Sequence, residues 1–356
     1  MVKTRKKVII IVSIVLACFL LSIPTVILPL STVIVYEGVF SMRFETKDYM
    51  KMEVSDFEGL HAERSEFESD VTLTGYKYYR NEDANGVVII AHGFGDGGHN
   101  KYLPYISELT KQGLYVFSYD AQGNDESEGR AVTGFPQGII DLENAISHVQ
   151  EIEEYKGLPI MLFAHSWGAY SAGNVLNHHP EISACVLVAG FNESEDMLAH
   201  YPRMALGGLV DIVLLPYVTL YERIKFGKEY ASISATDGME KTDAKILIVH
   251  SRDDKRVPIE YGYDVYYEEF EDNARFEFLE YTDKGHKELL YSQAAVEYQH
   301  KIEDDYLAYL ESEGKRDTKK NRTEYMEKHL DPCLYYAPSE ELLTKMQEIF
   351  SSVSGE

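Results

Sequence analysis

The sequence has too few cysteines to build a disulfide framework. Its three cysteines are Cys18, Cys185 and Cys333, an odd and sparse set that excludes a small disulfide-stapled protein. A single Cys185–Cys333 bridge stays open. The histidines form no His-Glu-x-x-His motif and no cluster with cysteine, so no metal and no metal-dependent chemistry is predicted. Internal repeats and low-complexity tracts are also missing.

Basic residues are scarce relative to acidic residues. The chain has 34 Lys and Arg against 59 Asp and Glu, which gives a formal charge of −25. Nucleic-acid binding needs a basic face, so this balance predicts an acidic, well-solvated surface and no nucleic-acid partner. The length of 356 residues is sufficient for one large α/β domain with appendages, and the oligomeric state stays open.

One long apolar run occurs near the N-terminus. It extends from Val8 to about Tyr36 and follows the basic residues at positions 5–7. About twenty apolar residues span a bilayer, and basic residues ahead of the run place the N-terminus in the cytoplasm. Residues 1–37 are therefore predicted to be a single-pass anchor with the remaining chain extracytoplasmic. A cleaved signal peptide and a buried N-terminal helix are the alternatives.

Beyond the anchor, the sequence predicts one α/β domain at 60–313. Residues 38–59 have mixed charge and little periodicity, and are predicted to form a stalk. A hairpin at 61–79 precedes strand-like runs at Gly86–Ala91, Leu114–Tyr119, Leu158–Ala164, Ala184–Ala189, Ile246–His250 and Phe276–Tyr281. Helix-like runs are Tyr102–Gln112, Gly138–Tyr155, Tyr170–His178, Ile259–Phe270 and Lys287–Glu311. This alternation predicts a mostly parallel sheet flanked by helices, with the ligand site at the C-terminal strand ends.

Two segments depart from that alternation. Residues 191–243 contain no obvious strand but an apolar stretch at 204–216, which Asp211 and Pro216 make unsuitable for a second membrane span. A helical cap over the site is predicted there. Residues 314–356 begin with a charged run and continue as amphipathic helix, which predicts a helical C-terminal extension without chemistry of its own.

A nucleophile turn is predicted at Ala164-His165-Ser166-Trp167-Gly168. An apolar strand precedes it and a helix start with small residues follows it. A serine on such a strand-to-helix turn presents its hydroxyl above the sheet edge. Ser166 is therefore the predicted nucleophile, and His165 is predicted to pack beside the turn.

Serine needs a base and a group that orients the base. Asp254 follows the predicted strand at 246–250, and His286 follows the last predicted strand, at 276–281. The order Ser166, Asp254, His286 is that of the nucleophile-elbow hydrolases, so these three residues are the predicted catalytic triad.

Residues 60 to about 310 resemble an α/β-hydrolase, of the branch that holds monoglyceride lipases, lysophospholipases and S33-type serine aminopeptidases. The family's G-x-x-D-x-x-V-P pattern corresponds to Ser251–Pro258 and selects Asp254, with Asp253 as the alternative because Ser251 replaces the glycine. The family's G-x-H corresponds to Lys284-Gly285-His286. Its D-x-R-G-x-G-x-S-x-G loop corresponds to Asp120–Gly129, in which Gln122 and Asp125 replace the usual Arg and Gly.

A glycine-rich turn follows the strand at 86–91. In the hydrolase interpretation, the backbone amides of Phe94 and Trp167 would form the oxyanion hole. Gly93, Gly95 and Gly98 also match G-x-G-x-x-G, with Asp120 at the position of a ribose-binding acid, so a dinucleotide-binding oxidoreductase is a rival. A non-catalytic binding module is another.

The sequence predicts a membrane-anchored serine hydrolase of carboxylic esters that works through an acyl-enzyme without a cofactor. Its apolar cap favours a small-molecule or lipid ester, such as a monoacylglycerol or a lysophospholipid. A serine aminopeptidase is the alternative within the fold, and it would need carboxylates near the site to hold the free amine. Candidates for that role are Glu193, Glu195 and Asp196.

Overall fold

The computed structural model describes residues 2–81 and 83–355. In this part of the chain eight strands form one sheet: β1 (His61–Glu68), β2 (Thr72–Tyr79), β3 (Val87–Ala91), β4 (Tyr115–Tyr119), β5 (Ile160–His165), β6 (Ala184–Val188), β7 (Lys245–Ser251) and β8 (Phe276–Tyr281). Their order across the sheet is β1-β2-β4-β3-β5-β6-β7-β8. Strands β3 to β8 are parallel, and β1 and β2 form an antiparallel edge. The predicted mostly parallel sheet is confirmed.

Helices cover both faces of this sheet. The helices of the described residues are α1 (Val2–Ser22), α2 (Leu28–Val39), α3 (Leu103–Lys111), α4 (Gln137–Glu151), α5 (Trp167–Val175), α6 (Ser194–Leu206), α7 (Leu209–Val213), α8 (Leu215–Phe226), α9 (Lys228–Ala231), α10 (Ala235–Lys241), α11 (Tyr263–Phe270), α12 (Gln293–Ser312), α13 (Lys319–His329), α14 (Pro332–Tyr335) and α15 (Glu340–Ser354). A π-helical turn, Ile23–Ile27, joins α1 to α2. The middle strands are buried along their whole length, as in β3 and β6, because both of their faces meet helices.

Helix starts are where the structure differs most from the sequence prediction. Helix α5 begins at Trp167 rather than Tyr170, directly after the serine turn. Helix α12 begins at Gln293 rather than Lys287, because the Ser292 side chain accepts a hydrogen bond from the Ala295 amide and caps it. Local hydrogen bonds of this kind set helix ends, and apolar periodicity does not report them.

The segment predicted to be a stalk packs against the domain instead. Phe40 and Met52 are buried, and Phe44 pairs with Asn124 as an isolated bridge. The Asp125 carboxylate accepts hydrogen bonds of 2.6 Å from both the amide and the hydroxyl of Thr46. Residues 38–59 therefore fasten the N-terminal helix to the loops around the site.

The C-terminal segment contributes to the core. Leu342, Met346, Ile349 and Phe350 are buried on one face of α15 and join the cluster that includes the β6 and β7 side chains. Their spacing of four, three and one residues puts them on one helical stripe. The three cysteines are free, so the Cys185–Cys333 bridge that the sequence left open is not formed.

The segment predicted to be a cap is helical from α6 to α10. The side chains of Ala205 and Leu206, part of its apolar stretch, are outside the described residues. Near the N-terminus, the helical stretch Arg5–Val39 is long and apolar enough to cross a membrane by length and composition. Helix α2, which forms the C-terminal part of this stretch, packs against α8.

Candidate functional site

Ser166 sits in a strained turn between β5 and α5. Its backbone has φ 60° and ψ −119°, a conformation that costs a non-glycine residue free energy and occurs at functional sites. The Ser166 amide donates to the Val188 carbonyl at 2.8 Å, which holds the turn against β6. A Cβ on Gly168 would lie 2.1 Å from the Ala91 carbonyl oxygen, so only glycine allows α5 to approach β3 this closely.

The structure brings Ser166, His286 and Asp254 into one hydrogen-bonded chain. His286 Nε2 lies 2.9 Å from Ser166 Oγ, and His286 Nδ1 lies 2.7 Å from Asp254 Oδ2. Each residue follows the C-terminal end of a different strand, namely β5, β7 and β8. With Nδ1–H donating to the carboxylate, Nε2 is free to accept the serine proton.

The Asp254 carboxylate is held in its ionised form. Burial raises its pKa, but hydrogen bonds from His250 and His286 and from the backbone outweigh burial and hold the pKa well below its usual range. Its Oδ1 accepts from the amides of Arg256 at 2.8 Å and Val257 at 3.0 Å. The sequence analysis did not anticipate the role of His250, whose Nε2 lies 3.3 Å from Asp254 Oδ2.

Asp253, the alternative acid, contacts a different group. Its Oδ1 accepts from the Ser251 hydroxyl at 2.7 Å and from the Gly285 amide at 2.8 Å. It therefore braces the loop that carries His286 and does not contact the imidazole. Ser251, in place of the family's glycine, supplies one of these donors.

The two histidines beside the turn are both held neutral. Burial lowers the pKa of His286 below its ordinary value, although Asp254 acts in the opposite direction. Burial and the neighbouring His286 hold the pKa of His165 well below the usual range. His165 Nε2 lies 3.0 Å from the His286 carbonyl oxygen, so His165 supports the loop of His286, whereas the sequence predicted only that it packs beside the turn.

The loop after β3 approaches the serine turn closely. A Cβ on Gly93 would lie 3.3 Å from Ser166 Cβ. His92 accepts a hydrogen bond of 2.9 Å from the Ala121 amide at Nε2, and burial lowers its pKa to about 4, which keeps it neutral. Among the described residues, no hydrogen bond uses the amide of Phe94 or Trp167, so both donors remain available to an oxyanion.

Asp120, which would bind the ribose in the dinucleotide interpretation, contacts His99 instead. Its Oδ1 accepts from the His99 amide at 2.9 Å and lies 2.7 Å from His99 Nδ1. Helix α3 starts only at Leu103, well past the glycines. A pyrophosphate at the glycine turn would therefore not meet a helix N-terminus. Both Asp120 oxygens already accept hydrogen bonds, since Oδ2 accepts from the Glu126 amide at 3.2 Å.

A cavity of about 940 Å³ opens beside Ser166 and His286. Its inner wall includes the rings of Phe94, Trp167 and Phe191, and its outer wall comes from the cap helices. Among the described lining residues, Arg256 is the only charged side chain. The cavity is therefore suited to an apolar group that ends near the serine.

The carboxylates predicted for amine binding do not line this cavity. Glu193 and Glu195 line a separate cavity of about 160 Å³ together with Glu222, and Asp196 pairs with Arg203 at 3.3 Å. Burial, and then the nearby Glu195, raise the pKa of Glu193. No carboxylate is thus found among the described residues that line the cavity, and the nearby Asp254 is already hydrogen-bonded to His286.

The sequence analysis missed the contribution of the N-terminal helix to the cavity. Thr32, Val35, Tyr36 and Val39 line it, although the first three were predicted only as part of an anchor and Val39 only as part of a stalk. One signal of this packing was available in the sequence. The polar residues Tyr36 and Glu37 stand at the end of an apolar run. Polar groups there indicate a helix that meets protein rather than lipid.

Comparison with known proteins finds similarities that each cover part of this chain. A family model described as "Serine aminopeptidase, S33" matches residues 82–216. Human protein ABHD12B is 25% identical over 190 residues, which are 52% of this chain and 50% of that protein. The uncharacterized protein YqkD of Bacillus subtilis is 26% identical over 180 residues, 50% of this chain and 58% of that protein. The matches thus span only about half the length of these curated relatives.

Solved structures share the fold. The Pyrococcus furiosus esterase Pf2001 superposes with a TM-score of 0.53 at 19% identity, covering 77% of this chain and 98% of that one. The Pyrococcus horikoshii acylaminoacyl peptidase superposes with a TM-score of 0.50 at 16% identity, covering 65% and 38%. At these identities the likeness shows the α/β-hydrolase fold alone, and function must be argued from the site.

Proposed function

We propose, on the premise that the chain belongs to the α/β-hydrolase superfamily, that it is a serine hydrolase of carboxylic esters with an apolar acyl group. The observation that carries this is the hydrogen-bonded chain Asp254–His286–Ser166 at the wall of the apolar cavity. The substrate class is a lipid ester such as a monoacylglycerol or a lysophospholipid.

The mechanism proceeds through an acyl-enzyme. His286 Nε2 takes the proton of Ser166 as Oγ attacks the ester carbonyl, and Asp254 stabilises the imidazolium that forms. The amides of Phe94 and Trp167 hold the oxyanion, and each such donor lowers the barrier by about 3–4 kcal/mol. His286 then protonates the leaving alcohol, and a water that it activates releases the carboxylic acid and restores Ser166. No cofactor takes part in this scheme.

The chain is proposed to be a single-pass membrane protein with its N-terminus in the cytoplasm. Support comes from the helical stretch Arg5–Val39 and from the basic residues that open it. The hydrolase domain would then act outside the cytoplasm, close to the lipid that holds its anchor.

A serine aminopeptidase is the second candidate, because the matching family model carries that description. A free amino terminus in the active site needs a carboxylate partner, and Arg256 contributes the opposite charge to this cavity. The ester interpretation therefore agrees better with the lining of the site.

One assay of the full-length protein in detergent distinguishes the ester hydrolase from the aminopeptidase. It compares p-nitrophenyl esters of increasing acyl length with aminoacyl-p-nitroanilides, with Ser166→Ala as the matched control. Ester turnover that increases with acyl length and disappears in the variant supports the proposal. Cleavage of the anilides without ester preference would replace it with the aminopeptidase.

A further inference from the structure

The candidate membrane helix is longer than a bilayer requires. The stretch Arg5–Val39 has 35 residues, about 52 Å at 1.5 Å per residue, whereas the hydrocarbon core is about 30 Å thick. With the basic residues 5–7 at the inner surface, roughly twelve residues at its outer end exceed the core. These residues form α2, and the tilt by which a long helix adapts to a bilayer keeps them in its outer part.

The outer end is fastened to the cap by polar contacts. Tyr36 donates a hydrogen bond of 2.7 Å to Glu222 Oε1, and Tyr221 donates one of 2.6 Å to Glu37 Oε1. Lys225 Nζ also pairs with Glu37. The three cap residues all lie on α8, so these contacts join the cap to α2.

A fourth contact indicates how deep the cap lies relative to the candidate membrane helix. The Tyr217 hydroxyl donates to the Pro24 carbonyl oxygen at 2.8 Å. Pro24 belongs to the apolar stretch, so the first turn of α8 is level with residues that would lie in the outer part of the bilayer. Five large apolar side chains of the nearby cap are more than half exposed: Met204, Leu209, Ile212, Leu220 and Ile224. We call these five the cap face.

The cavity of Ser166 opens at the same place. Val35 and Val39 line the cavity, yet they are 65% and 51% exposed, so the mouth runs along α2. Leu214 and Val218 line it from the cap side. A mouth with valine and leucine edges gives water no partner but suits a hydrocarbon chain.

We propose that the cap face inserts into the outer half of the bilayer and that the mouth between α2 and α8 opens into the lipid phase. A membrane lipid then passes its acyl chain sideways into the cavity, and α2 is a wall of the substrate site as well as an anchor. That the occupant is an ester to be hydrolysed rests on the proposed function. The insertion of the cap face does not depend on that activity and rests only on the proposed membrane anchor.

The insertion is tested by fluorescence without any assay of activity. The chain has one tryptophan, the buried Trp167, which supplies a constant background. Ile212→Trp on the cap face is compared with Leu307→Trp, a half-exposed position on α12, in full-length protein reconstituted in phosphatidylcholine vesicles with brominated acyl chains. The emission added at 212 should be strongly quenched and that at 307 should not. Equal quenching, or none at 212, would overturn the proposal.

Entry through this mouth is tested by the preference of the enzyme for a long-chain ester over a short soluble ester. Val35→Trp narrows the mouth, and Ile34→Trp, exposed but not among the lining residues, is its control. The ratio of kcat/KM for a long-chain ester in vesicles to that for a soluble acetate ester should fall about tenfold in Val35→Trp, and stay within about twofold in Ile34→Trp. An unchanged ratio in Val35→Trp would contradict entry at this mouth. If no ester were cleaved by any form, the proposed function would fail while the quenching result still decided the insertion.

Discussion

The hydroxyl of Tyr36, on the N-terminal helix, donates a hydrogen bond of 2.7 Å to the carboxyl group of Glu222 on the cap. Glu222 is 1% exposed and also accepts from the Ser194 hydroxyl at 2.9 Å. Burial raises the pKa of Glu222 to about 7, even though both hydroxyl donors lower it. The junction between α2 and the cap therefore contains a carboxyl group that keeps its proton to a higher pH than an ordinary glutamate.

Stability should depend on pH through Glu222. Its folded-state pKa lies above the ordinary value, so protonation stabilises the folded state below about pH 4.5, and this contribution is lost as pH increases through about 7. Glu222→Gln should therefore become more stable relative to the natural protein between about pH 5 and pH 8, by up to about 3 kcal/mol. Thermal unfolding in detergent measures this, with the exposed Glu240→Gln as control. A difference that does not change with pH would contradict the account.

Replacement of Asp254 should reduce kcat far more than replacement of Asp253. Asp254→Asn leaves the imidazole in the wrong tautomer and should reduce kcat by about 10⁴-fold. Asp253→Asn weakens only the brace to Gly285 and should reduce kcat by about tenfold. Ester hydrolysis with both proteins, each checked for folding by circular dichroism, measures the contrast. The opposite ranking would transfer the acid's role to Asp253.

The acid limb of the pH–rate profile should lie below the ordinary histidine range. His286 must be neutral to accept the Ser166 proton, and burial lowers its pKa below 6.5. With a soluble short-chain ester, kcat/KM should be level near neutral pH and fall only as pH decreases below about 6.5. An acid limb above neutral pH would show that the imidazolium is favoured in the free enzyme, contrary to the burial argument.

Arg256 should select substrates with an anionic head group. It is the only charged side chain among the described residues that line the cavity, and a charged hydrogen bond to phosphate contributes about 1.5–3 kcal/mol. Arg256→Gln should lower kcat/KM for a lysophospholipid by about tenfold or more while changing monoacylglycerol hydrolysis little. Lys255→Gln, exposed and not lining the cavity, is the matched control. Equal losses on both substrates would remove Arg256 from head-group recognition.

Much of the fold could be predicted because its strands are buried on both faces. Runs such as Val87–Ala91 and Ala184–Val188 are continuously apolar, and such runs identify parallel strands whatever lies between them. The candidate site was also predictable, since an elbow serine and later strand ends carry their own local signals. The predicted order Ser166, Asp254, His286 corresponds to the hydrogen-bonded chain in the structure.

The junction of α2 with the cap was not predictable, because it depends on long-range contacts. Tyr36 and Glu222 are 186 residues apart, and no periodicity in either segment points to the other. The packing of Phe44 and Thr46 on the Asn124–Asp125 loop was hidden for the same reason. Mixed charge and weak periodicity describe a free stalk and a segment held by specific contacts equally well.

The central claim, that Ser166 is the nucleophile, is tested most directly by locating a covalent adduct. A fluorophosphonate reacts with an activated serine, losing fluoride and forming a stable ester that mass spectrometry assigns to one residue. Incubation of the full-length protein with such a probe should place one adduct on the peptide that carries Ser166, and Ser166→Ala should remain unlabelled while still folded. Ester hydrolysis that survives in Ser166→Ala, or an adduct on another serine, would contradict the account.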